Sequence, residues 1–149
     1  MPVELISNIY EEFIEGKEDG IVYTPPFLVN FLLDEVIPLS NDATNTNFKI
    51  LDPACGSGIF LVQAYKRLIQ RWRIKNNWKP PSKEVLKQLL NDNIYGSDKN
   101  EDAIRLTAFS LTLALCDELS PLVIWKELKF DILRDKNLHS SDFFELVEE

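Results

Sequence analysis

One heptapeptide constrains the fold of this chain more than any other stretch: Asp52-Pro53-Ala54-Cys55-Gly56-Ser57-Gly58. Before it stands Phe48-Lys49-Ile50-Leu51, a short apolar run that ends abruptly at Asp52-Pro53. After it, Phe60, Leu61, Tyr65, Leu68, Ile69 and Trp72 recur at helical spacing to about Lys75. Strand, glycine turn and helix in that order make the opening unit of a parallel α/β sheet. Glycines at such a turn let a ligand approach the backbone, and the helix N-terminus offers unpaired N–H groups to an anion. The bland alternative is a tight turn with no ligand.

The identity of the anion can be narrowed. A dinucleotide fingerprint needs a third glycine where Leu61 stands, and a phosphate-binding P-loop needs Gly-Lys-Ser or Gly-Lys-Thr, which is absent. Asp52 at the strand's end would also repel a pyrophosphate. A zwitterion suits the site better, with a carboxylate for the helix N-terminus and an ammonium for Asp52. The methionine end of S-adenosylmethionine carries both groups.

Flanking segments extend the pattern. Ile94-Tyr95-Gly96-Ser97-Asp98 reads as a second short strand, followed by a helix over 101–119 that Ser120-Pro121 breaks. An acid closing that strand can accept hydrogen bonds from ribose hydroxyls. Asp98 also precedes Glu101 at the spacing of a helix cap. Its distance from the glycine turn exceeds the roughly 20 residues of the dinucleotide pattern. The proline-broken link and a short helix over 83–90 account for the excess as an insertion. From Leu122 onward the pattern is ambiguous, with a third strand over 136–141 leading into Asp142-Phe143-Phe144. Upstream, Val3, Leu5, Ile6, Ile9, Tyr10, Phe13 and Ile14 mark an amphipathic helix stopping near Gly16. A second helix begins at Pro26 and runs to about Ile37, with Phe27, Phe31, Leu32 and Val36 expected inward.

Composition excludes several classes. With 16 Lys plus Arg against 24 Asp plus Glu the formal charge is −8, the reverse of a stand-alone nucleic-acid binder. Lys66, Arg67, Arg71, Arg73 and Lys75 form a basic strip, read as a solvated helix face in preference to a phosphate contact. Cys55 and Cys116 form no Cys-x-x-Cys pair and His139 is the single histidine, so neither a disulfide framework nor a zinc site is suggested. The cysteines are expected to pack as small apolar residues. The N-terminus lacks the features of a signal peptide and no apolar run approaches the ~18 residues of a membrane span, which makes the cytoplasm the expected location.

At this point the chain resembles the N6-adenine-specific DNA methyltransferases of type I and type IIG restriction-modification systems. Their glycine motif reads as Asp52 to Gly58 does, a Tyr-Thr-Pro element lies upstream as at Tyr23-Thr24-Pro25, and an Ile-Tyr-Gly-x-Asp element lies downstream as at Ile94 to Asp98. The resemblance implies a Rossmann-like S-adenosylmethionine-dependent methyltransferase fold: a partial parallel sheet with flanking helices and a helical N-terminal extension. It implies that Thr24 and the backbone around Ala54, Cys55, Gly56 and Gly58 hold the methionine moiety, with Tyr23 and Asp52 also among the cofactor-binding residues. Asp98 would hold the ribose, and Lys99 or Asn100 would line the adenine pocket. The family's next element, an acid followed by an apolar or aromatic residue at the adenine, fits Asp142-Phe143 best, with Asp131-Ile132 as competitor.

The catalytic element of that family is Asn, Asp or Ser followed by Pro-Pro and an aromatic residue, which grips the flipped base. The two Pro-Pro pairs here, at Pro25-Pro26 and Pro80-Pro81, both precede Asp98. The expectation is therefore a helical extension over 1–47 and a partial cofactor-binding domain over 48–149 that stops short of the catalytic motif and does not methylate alone. DNA would be a partner of the complete enzyme and not of this acidic piece. Other expected partners are the C-terminal catalytic and target-recognition parts. The first core strand would present an open edge, covered by self-association or by a helix. The rival readings are a non-enzymatic scaffold that kept the fold and lost the ligand, and a fragment of a protein or ribosomal-RNA methyltransferase.

Overall fold

The computed structural model describes residues 24–40, 45–127 and 133–144. The expected first helix over residues 3–14 lies outside them. Among the described residues eight elements follow in order: α1 (Pro26–Val36), β1 (Ile50–Asp52), α2 (Ile59–Lys75), α3 (Lys83–Asn93), β2 (Ile94–Asp98), α4 (Glu101–Cys116), α5 (Pro121–Glu127) and β3 (Leu138–Ser140). The strands form a parallel sheet in the order β1-β2-β3, with Asp52 opposite Gly96 and Asp98 opposite Ser140. This is the α/β architecture expected of a partial Rossmann-like methyltransferase fold. In such sheets ligands collect beyond the carboxyl ends of the strands. Among the described residues no helix is long and apolar enough to cross a membrane.

Helix α2 is the hub, packing on α1, α3, α4, β1 and β2. Leu61, Val62, Tyr65, Leu68 and Ile69 are fully buried along it. Leu61 explains the missing third glycine. A Cβ at Gly96 would stand 2.7 Å from Leu61 Cδ1, so the small residue that permits close helix–sheet packing sits on the strand and the large one on the helix. Two buried side chains donate to backbone carbonyls: Tyr65 O–H to Leu86 O at 2.9 Å, and the Asn137 amide to Asn91 O and Ile94 O, both at 2.8 Å.

Several boundaries differ from the sequence reading for identifiable reasons. β1 starts at Ile50 and not at Phe48, because the Asn93 amide takes the carbonyls of Thr46 and Phe48 (2.7 and 2.5 Å) and draws that segment toward α3. α3 runs on to Asn93 and abuts β2. α4 stops at Cys116 in a turn, and Pro121 opens α5, since proline at a first helical position costs no hydrogen bond.

The inward face of α1 is not the one the sequence predicts. Val29, Leu33 and Ile37 are buried, whereas Phe27 is 74% and Val36 75% exposed, with Phe31 and Leu32 also outward. The helix is apolar nearly all round, so periodicity alone does not choose a face. The choice is made by two residues of the basic strip, Arg67 and Arg71, which are buried and not part of a solvated face, whereas Lys75 is exposed as expected. Arg67 is 8% and Arg71 7% exposed. Arg67 donates to Ile37 O (3.2 Å), Asn30 O (3.3 Å) and Asp34 Oδ1 (2.5 Å), while Arg71 donates to Pro38 O (3.1 Å) and Asn45 O (2.9 Å) and lies over the Phe48 ring. Between them the two guanidiniums bind the carbonyls of Ile37 and Pro38 that follow directly on α1, where a helix lacks further N–H partners, and Arg67 also reaches Asn30 O within it. Arg73 pairs with Glu118 at 2.5 Å.

Candidate functional site

The glycine turn connects β1 to α2 at the carboxyl end of the sheet, where β2 ends in Asp98 and β3 runs into Ser141-Asp142-Phe143. Its two glycines have different duties. Gly56 has φ +52°, and a Cβ there would meet nothing within 4 Å, so its side faces open space in which a ligand group can sit against the backbone. Gly58 has φ +84°, and a Cβ there would lie 2.7 Å from Thr107 Oγ1 and 2.8 Å from Thr107 Cγ2. Gly58 is also the N-cap of α2 and makes no side-chain cap bond. The first N–H groups of α2 therefore face the turn without a side-chain acceptor from the capping residue.

The turn is tied to its neighbours. Asp98 Oδ2 accepts from the Gly56 N–H at 2.8 Å, the Cys55 N–H donates to Ser97 O at 2.9 Å, Ser97 Oγ donates to Pro53 O at 3.2 Å, and Thr107 Oγ1 donates to Gly56 O at 2.9 Å. Asp98 Oδ1 meanwhile accepts from Asn100 N–H at 2.8 Å. Asp98 is therefore not the N-cap of α4. That place belongs to Asn100, whose side chain accepts from Asp102 N–H at 2.9 Å. Each carboxylate oxygen of Asp98 retains acceptor capacity beyond its one backbone bond.

Charge at the site is of one sign near the turn. Burial pushes the Asp52 carboxyl above its usual range, and the nearby Asp98 charge adds to this, against the opposing hydrogen bond from Ala54 N–H. A half-buried acid in this condition is stabilised by any cation placed beside it. Burial likewise pushes the Cys55 thiol up to about 12, so it packs as a neutral apolar side chain. Burial also raises the pKa of the half-buried Cys116 thiol.

Beyond the turn lies a cleft of about 480 Å³ lined by Pro53, Ala54, Asp98, Lys99, Ser141, Asp142, Phe143 and Phe144. That volume falls within the roughly 300–1,000 Å³ common for small-molecule sites. Across it, Lys99 Nζ and Asp142 Oδ2 pair at 2.6 Å, and the hydrogen bond from Lys99 holds the Asp142 carboxyl below its usual range, with Phe144 N–H adding to the effect. Phe143 and Phe144 stand edge to face with centroids 5.8 Å apart.

Of the residues singled out in the sequence, Asp52, Ala54, Cys55, Gly56, Gly58, Asp98, Lys99, Asp142 and Phe143 converge on the turn and the cleft beside it. Thr24 precedes α1 and is not among the residues lining that cleft. Tyr23 and the alternative acid Asp131 lie outside the described residues. Thr107 and Ser97 contact the turn without any signal in the sequence. Both are common small polar residues within a strand or helix, and no spacing pattern links either to its partner in the turn, 51 and 44 positions upstream respectively.

A model of the N-6 DNA methylase family matches residues 3–120. The chain is 29% identical over 150 residues to the type I restriction enzyme MjaIX methylase subunit of Methanocaldococcus jannaschii, covering 97% of this chain and 21% of that protein. It is 29% identical over 112 residues to the adenine-specific methyltransferase PglX of Streptomyces coelicolor, covering 73% of this chain and 9% of that protein. It is 25% identical over 170 residues to the type II restriction enzyme and methyltransferase RM.Eco57I of Escherichia coli, covering 91% and 17% respectively. This chain thus spans only about a tenth to a fifth of the length of these relatives.

Proposed function

The chain belongs to the N-6 DNA methylase family, and from that premise we propose that it is the S-adenosylmethionine-binding portion of a restriction-modification enzyme that methylates adenine N6 in DNA. The observation that carries this reading is the uncapped start of α2 beside the raised carboxyl of Asp52, with the open side of Gly56 between them. An anion acceptor and a cation acceptor one turn apart are what an α-amino acid requires.

The residues present fit the cofactor. The first N–H groups of α2 would take the methionine carboxylate, Asp52 the ammonium, and Asp98 the ribose hydroxyls through its remaining lone pairs. Asp142 and Phe143 would flank the adenine in the cleft, where Lys99 already engages Asp142. When bound, the cofactor supplies an electrophilic methyl group. The chain's own part is to fix and orient it. The catalytic Pro-Pro-aromatic element would come from further polypeptide, as would DNA recognition. Among the described strands β1 pairs with β2 alone, and Leu51 on it is 53% exposed. These features support that edge as the seat of the catalytic part.

Isothermal calorimetry with S-adenosylmethionine and S-adenosylhomocysteine tests the reading. Binding is expected, and Asp98→Ala should weaken it by about 1.5–3 kcal/mol, the range for hydrogen bonds to a charged group. No heat with either ligand would count against the cofactor assignment. Incorporation of labelled methyl groups into DNA by these 149 residues alone would contradict the division of labour.

A further inference from the structure

We propose that Thr107, on α4, is a positioning residue for the cofactor turn, acting through its hydroxyl on the peptide carbonyl of Gly56 without touching the ligand itself. This rests on the cofactor reading above. Thr107 is fully buried, and its Oγ1 donates to Gly56 O at 2.9 Å. On the other side of the same residue, Asp98 Oδ2 takes the Gly56 N–H at 2.8 Å. Both polar backbone groups of Gly56 are thus committed, one to the carboxyl end of β2 and the other to the middle of α4. Gly56 is the residue whose backbone faces open space, and a glycine at φ +52° has a wide choice of other conformations. Two anchors on separate elements remove that choice before any ligand arrives, so the ordering cost is met on folding and not on binding.

The methyl of Thr107 does a different job. A Cβ at Gly58 would lie 2.8 Å from Cγ2 and 2.7 Å from Oγ1, so the methyl, together with the hydroxyl, fills the space between α4 and the start of α2. Hydroxyl and methyl can therefore be separated by substitution. Thr107→Val keeps the shape and loses the donor. Thr107→Ser keeps the donor and loses the methyl.

The experiment measures S-adenosylhomocysteine affinity by calorimetry and melting temperature by scanning calorimetry on the full chain and both variants. Thr107→Val is expected to bind roughly three- to tenfold more weakly, the effect of one neutral hydrogen bond. Thr107→Ser should bind within about twofold of the parent while melting at lower temperature, since a buried methyl has been deleted. A Thr107→Val variant that binds as well as the parent overturns the proposal, as does a Thr107→Ser variant that binds as poorly as Thr107→Val. Amide hydrogen exchange over residues 56–60 in the ligand-free chain gives a second readout. Thr107→Val should accelerate it severalfold and Thr107→Ser should not. Absence of ligand binding by the parent would defeat the cofactor reading, and the exchange result would then decide the anchoring by itself.

Discussion

Replacing each of the two glycines of the turn by alanine should give different, separable outcomes. At Gly58 the added Cβ lies 2.7 Å from Thr107 Oγ1, 2.8 Å from Cγ2 and 3.0 Å from Cβ, so three atoms of one buried side chain must move, on a backbone at φ +84°. Adding the cost of left-handed backbone, about 1–2 kcal/mol, to that of overpacking, about 1–3 kcal/mol, gives roughly 2–5 kcal/mol. For a chain of this size each kcal/mol lowers the melting temperature by about 2–4 °C, so Gly58→Ala should fall by roughly 4–20 °C. At Gly56 the same substitution meets nothing within 4 Å and carries only the backbone cost, about 1–2 kcal/mol or roughly 2–8 °C. The new methyl nevertheless projects into the space where the ligand's amino-acid end would lie, so Gly56→Ala should bind S-adenosylhomocysteine far more weakly than its modest destabilisation suggests. Scanning calorimetry and titration calorimetry on the two variants make the comparison. A double-mutant cycle sharpens it: Gly58→Ala combined with Thr107→Ala should cost less than the sum of the two changes, by about 0.5–3 kcal/mol. Additive costs, or a Gly56→Ala variant less stable than Gly58→Ala, would refute the assignment of separate duties.

Two further outcomes follow from other parts of the structure. Arg67→Ala removes donors from Ile37 O, Asn30 O and Asp34 and should destabilise by about 2–3 kcal/mol in denaturant unfolding. Asp34→Ala should cost under about 1 kcal/mol, because its carboxylate is 66% exposed and the carbonyl bonds of Arg67 survive; equal costs would mean that the ion pair, and not the carbonyl clamp, holds α1. Asp52→Asn should raise stability at pH 7 while weakening ligand binding. The folded pKa of Asp52 is raised, first by burial, so its contribution is present below the unfolded value of about 3.9 and is lost as pH rises through the folded value. The stability gap between parent and variant should therefore close as the pH falls toward 4, and a variant that melts below the parent at pH 7 would show that the carboxylate is already satisfied.

Much of this protein was legible locally. The order strand, glycine turn, helix, strand ending in an acid and helix follows from short apolar runs, the 3.6-residue helical period and turn chemistry, all short-range properties of the chain. So does the convergence of Asp52, Gly56 and Asp98, because a parallel sheet brings the carboxyl ends of its strands together. Three things were decided only by tertiary contact. The face that α1 buries was set by Arg67 and Arg71 reaching from α2, since a helix apolar nearly all round contains no internal preference. The tolerance for Leu61 in place of glycine was set by Gly96 on a strand more than thirty positions away. The conformation of Gly56 was set from both sides by Asp98 and Thr107, which are 42 and 51 positions distant. The physical reason is common to all three. Sequence spacing reports which residues share a face of one element, whereas hydrogen bonds and close packing between elements depend on where the fold carries them.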